Sequence, residues 1–102
     1  MVFREFMTKL KRCLDEVKVR RQTVIKNASP EWPDTHTYDV AICSIEAAYN
    51  RFLGRKVVVP DREQTISGLI IAKDYFASRK RKREVAVLTL AIDMLERRQK
   101  MG

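Results

Sequence analysis

RKRKREVAVLTLAIDML, residues 79–95, sets five consecutive cations, Arg79 to Arg83, against the most apolar run in the chain. Val85, Leu88, Ile92 and Leu95 recur at helical steps, and Val87, Leu90, Ala91 and Met94 make a second stripe beside them. Only Thr89, Asp93, Glu96 and Arg97 leave a polar edge. A helix apolar over so much of its circumference is buried on several sides. It is therefore either the central helix of a bundle or part of a dimer seam, running from about 83 to 98, with Gln99 to Gly102 expected to fray.

The cations constrain where that helix starts. Positive charges at a helix N-terminus oppose the macrodipole at about 0.3–1 kcal/mol each, whereas the C-terminus of a preceding helix welcomes them. Ser78 is a candidate cap, but Arg81 stands where a capping box wants Glu or Gln, and Glu84 is the one compensating acid nearby. A single helix from 62 to 98 would carry the run through its apolar stripe for nearly two turns. A break near 78–82 is the prediction.

Working outward, residues 2–26 read as one long helix. Phe3, Met7, Leu10, Leu14, Val17 and Val24 form its stripe, with Arg21 at the missing step and Phe6, Cys13 and Val19 widening it. The spacing resembles a short coiled-coil seam, but Arg21 on the seam favours a bundle helix. Asn27 to Thr37 reads as the longest loop because Pro30 and Pro33 restrict the residues before them. Trp32, between the prolines, is expected to fold back and close the core; the alternative is an exposed stacking or anchoring residue. A second helix is predicted over 38–53, with Thr37 as cap, Asp39 on its positive end, Ile42, Ile45, Tyr49 and Phe52 as stripe, and Gly54 as stop.

Residues 55–60 contain three valines but find no second strand in the chain, so an extended connector with Val58 in the core is expected. Pairing with the same segment of a second subunit is the alternative. Asp61 and Gln64 form a capping-box pattern that opens a third helix over 62–78, with Ile66, Leu69, Ile70 and Phe76 inward. Gly68 costs about 1 kcal/mol of helix propensity and suggests close helix packing. The fold class is thus all-α: a small four-helix, bundle-like single domain over 1–102, with one Pro-containing loop and one extended Val-rich connector.

The net charge of +8 is unevenly placed. Residues 1–26 and 79–102 each carry +5, while 27–60 and 61–78 carry −1 each. Such a chain shows a polyanion a patch rather than a uniform field. The candidate nucleic-acid-binding residues are Arg79, Lys80, Arg81, Lys82 and Arg83, supported by Lys9, Lys11, Arg12, Arg20 and Arg21. Arg97, Arg98 and Lys100 lie at the far end of the fourth helix, and the first helix would bridge the two clusters if it packs beside the fourth. No zinc-finger spacing, RNP-type strand or compact helix–turn–helix supports base reading, so phosphate contact is the expected mode. The alternative is a helical interaction module, an adaptor or inhibitor of the phage type, that docks on an acidic protein surface or forms a homodimer.

Catalytic signals are weak. His36 is the only histidine; Glu31, Asp34, His36 and Asp39 could cluster around a divalent metal but match no recognised ligand spacing. Cys13 and Cys43 sit on apolar stripes and are expected to be buried and reduced. The sequence therefore predicts a non-enzymatic protein without cofactor. With no signal-peptide pattern and no apolar run of about 18 residues, it also predicts a cytoplasmic location (nuclear in a eukaryote) and no membrane partner.

Overall fold

The computed structural model describes residues 2–27 and 31–101, with backbone only for 99–101. Four helices make an all-α bundle: α1 Phe3–Asn27, α2 Trp32–Phe52, α3 Arg62–Ser78 and α4 Lys82–Met101. Packing runs α1 on α2, α2 on α3, α3 on α4 and α4 back on α1. Side-chain contacts fix the directions. Phe6, early in α1, meets Phe52 at the end of α2. Tyr38, early in α2, meets Phe76 near the end of α3. Arg20, late in α1, reaches Glu84 in the first turn of α4. The helices alternate up and down, so one end of the bundle gathers the α1 and α3 C-termini with the α2 and α4 N-termini.

The core is built from the stripes the periodicity marks. Leu10, Leu14 and Val17 of α1, Ile45 of α2, Leu69 and Phe76 of α3, and Leu88 and Leu95 of α4 are all buried. Ala41, Ala48, Ala72 and Ala91 let the helices approach. Gly68 serves the same purpose between α2 and α3: a Cβ there would lie 2.8 Å from Ser44 Oγ. The fourth helix turns Val87, Leu88, Ala91, Ile92, Met94 and Leu95 inward, which absorbs its apolar girth without requiring a seam to a second copy.

Several expectations need correction. The second helix starts at Trp32, not near 38, so the connection is short; Ala28 to Pro30 lie outside the described residues. Pro33 falls in the first turn, where backbone N–H groups have no intrahelical acceptor and its missing donor costs nothing. Thr37 is therefore inside the helix, its hydroxyl donating to the Pro33 carbonyl at 2.6 Å. Trp32 is 72% exposed and stacks on His36 at 4.7 Å instead of closing the core; the helical start points it outward, one turn before His36. Val58 is 69% exposed, because Arg51 anchors the connector at the Pro60 carbonyl rather than through its valines. Cys43 is exposed, while Cys13 is buried as expected. Phe3, Val19, Ile70 and Leu90 also lie at the surface, on the margins of their stripes. α4 stays helical to Met101, beyond the predicted fraying point.

The break at 79–81 is a Schellman turn. Arg81 N–H donates to the Phe76 carbonyl at 2.9 Å and Lys80 N–H to Ala77 at 3.1 Å. Lys80 takes the left-handed conformation, φ 60°, that Gly54 takes with φ 85° after α2. Ser78 is not the cap of α4; its hydroxyl bonds the Tyr75 carbonyl inside α3.

Candidate nucleic-acid interface

The cation run does not present five equivalent charges. Arg79 ends α3, where its charge suits the dipole. Its guanidinium lies over the Tyr75 ring at 5.4 Å, donates to the Tyr75 hydroxyl at 3.2 Å, and pairs with Glu31 at 3.8 Å and Asp34 at 3.9 Å. Arg81, whose carbonyl accepts the Val85 N–H that opens α4, turns inward and reaches Asp34 at 3.4 Å. Its Nε is buried without a partner among the described residues. Lys80, Lys82 and Arg83 are exposed. The dipole cost at the α4 N-terminus is thereby confined to Lys82 and Arg83.

Two acids at this end, Glu84 and Asp34, are inside, while Glu31 and Asp39 stay exposed. Glu84 is 1% exposed; it accepts from the Tyr38 hydroxyl and from Arg20 Nε at 3.3 Å. Asp34 is 7% exposed and accepts from the Tyr75 hydroxyl and from Arg81. Each buried carboxylate thus has one tyrosine and at least one arginine, which meets the requirement that a buried charge be paired and hydrogen-bonded. Burial, then the bond to Glu84, pushes the Tyr38 phenol well above its usual range. Burial, then Asp34, acts on Tyr75 in the same direction.

The supporting residues also divide. Arg20 is committed to Glu84, and Arg21 to Asp39 at 2.8 Å. Lys11 pairs with Asp15 one turn on, at 3.2 Å. Lys9 and Arg12 are exposed with no ion pair among the described residues. Lys9, Arg12, Glu16 and Arg20 step by three or four, so they form one row of three cations interrupted by one exposed acid. Arg20 at the end of that row touches α4, so the row runs along the α1–α4 junction. At its far end, Arg98 lies 5.2 Å from the Phe3 and Phe6 ring centroids. The geometry brings Lys9, Arg12, Arg83 and Arg98 to one side of the bundle, and places Lys80 and Lys82 on the turn beside it. The Lys100 side chain lies outside the described residues.

Sequence reasoning missed the two carboxylate–tyrosine pairs. Glu84 reads there as a dipole compensator and Asp34 as a loop acid. The available signal was Tyr38 and Tyr75 at the polar end of apolar helices, since a buried phenol requires a partner. Asp34 and His36, named as possible metal ligands, are separately engaged: Asp34 faces Tyr75 and Arg81, and His36 stacks on Trp32. Among the described residues no three His, Cys, Asp or Glu side chains converge, and no helix is long and apolar enough to cross a membrane. Comparison with protein-family models, with curated proteins and with solved structures gives no match.

Proposed function

We propose that the protein binds nucleic acid non-enzymatically, through the phosphate backbone, on the α1–α4 side and the α3–α4 turn. The observation that carries this reading is the sorting of charge at that end of the bundle: Asp34 and Glu84 are buried, while Lys80, Lys82 and Arg83 face solvent. The exposed Glu31 and Asp39 are taken by Arg79 and Arg21, so these three cations have no ion pair among the described residues, a positive surface that packing does not require. Phosphate contacts release counterions, so affinity falls steeply with salt, by about 0.9 in log–log slope per contact on a duplex.

The test is a salt titration of binding to DNA and RNA with Lys80→Gln, Lys82→Gln and Arg83→Gln combined. These side chains hold no buried acid, so the fold should survive. The slope should fall by about 2–3. A charge-matched control, Arg55→Gln, Lys56→Gln and Arg62→Gln at the opposite end, should change it much less. Equal slopes for the two triple variants, or no binding at low salt, would refute the proposal.

Docking onto a partner protein is the second reading. Trp32, Val58, Val59 and Ile71 favour it, being 67–77% exposed on the α2–α3 side. Light scattering across concentrations tests the self-association form; a monomer at high concentration rules it out.

A further inference from the structure

Between the first turns of α1 and the last turn of α2 lies an open groove. Phe3, Tyr49 and Leu53 form its apolar floor. Arg4, Lys11 and Arg12 stand on its rim with a single acid, Asp15. Lys11 neutralises Asp15 locally, which leaves Arg4 and Arg12 as uncompensated cations among the described residues. The floor carries aromatic surface: Phe3 is 44% exposed. Tyr38 and Tyr75 give their hydroxyls to buried carboxylates, whereas Tyr49 lines the groove with no carboxylate partner among the described residues.

We infer that this groove seats an unpaired nucleobase of a single strand, its flanking phosphates held by Arg4 and Arg12. This rests on the proposed nucleic-acid binding and names its substrate class. An apolar aromatic floor bordered by cations matches the two faces of a nucleotide, a flat π-surface and an anionic backbone. A duplex keeps its base faces stacked inside and offers phosphates, sugars and base edges, so it cannot lay a base on the floor; a single strand can. Arg12 belongs both to the rim and to the row along α4, so a strand leaving the groove meets Lys9 beside it, while the exposed Glu16 interrupts the way toward Arg83. Along α1, residues 4 to 20 span about 24 Å at 1.5 Å per residue, enough for several nucleotides.

The experiment compares a fluorescent oligothymidylate with a duplex of the same length at fixed salt. The proteins are the wild-type chain, Tyr49→Leu, which keeps apolar volume, and Leu53→Glu, which places a carboxylate on an exposed part of the floor. Far-UV circular dichroism checks that each remains folded. The wild-type chain should prefer the single strand. Each variant should weaken single-strand binding about fivefold or more while leaving duplex affinity unchanged. If Lys82→Gln weakens both ligands but the groove variants weaken neither, the groove is not the seat, although phosphate binding stands. If neither nucleic acid binds at low salt, both proposals fall. If an acidic tyrosine-containing peptide displaces the oligonucleotide at lower concentration than unlabelled oligothymidylate does, the occupant is a protein and the inference is overturned.

Discussion

Replacing Arg20 by Met tests the buried ionic end of the bundle. The substitution keeps most of the stem and removes the guanidinium that faces Glu84. Glu84 is 1% exposed and would retain only the Tyr38 hydroxyl as a close partner. Breaking a fully buried pair costs about 3–5 kcal/mol, mostly from the charge left behind. A quarter of the Arg20 side chain is solvent-exposed, so water can enter, and the estimate falls to about 2–3 kcal/mol. At about 4–8 °C per kcal/mol for a domain of this size, the melting temperature should drop by roughly 10–20 °C. The neighbouring residue supplies the control. Arg21→Met removes the same group from Asp39, but that acid is 56% exposed; exposed pairs contribute about 0.2–1 kcal/mol. Thermal and urea unfolding followed by circular dichroism would measure both. If the two variants melt within about 3 °C of one another, burial of Glu84 does not govern the energetics as argued.

Lys80→Gly should raise stability by roughly 0.5–1 kcal/mol, because the left-handed turn penalises a side chain there and glycine's own entropy offsets only part of the gain; a lower urea midpoint would contradict this. Gly68→Ala offers about 1 kcal/mol of helix propensity, but its Cβ meets Ser44 Oγ at 2.8 Å. Alone it should deliver less than that, and paired with Ser44→Ala it should deliver the full gain; equal results with and without the second change would dismiss the contact. A thiol reagent at pH 8 should label Cys43 quickly and Cys13 only on unfolding. Burial, then Glu16, raises the Cys13 thiol from 9.0 to about 11. The folded state therefore holds the proton longer than the unfolded state does, and its contribution is complete below pH 9 and lost as pH rises toward 11. Tyr38 acts with the same sign from about pH 10 upward. Unfolding free energy that stays flat from pH 8 to 11 would contradict both.

Helix number, the capping box at Asp61 and Gln64, the stop at Gly54 and the break in the cation run were all legible from local patterns. Each follows from short-range rules: three- and four-residue spacing, a cap hydrogen bond, a positive-φ glycine, a dipole. Boundaries and margins were less secure. Pro33 reads as a loop residue until its position in the first turn is known. Trp32, Val58 and Cys43 look like core residues until the direction of their backbone is fixed. The candidate interface was half legible: the charge tally locates it in the first and last segments, but gives no sign of which cations are free.

The sequence by itself determined an all-α chain with basic ends and a near-neutral middle, because periodicity and charge are properties of order along the chain. Only the tertiary structure decided which cations turn inward. Arg20 and Arg81 are drawn to Glu84 and Asp34 by contacts spanning 47 to 64 positions, and a charge leaves water only where distant helices supply its partner. Lys80, Lys82 and Arg83 remain outside for want of one, and with Lys9 and Arg12 they are the exposed cations on which the proposed nucleic-acid contact rests.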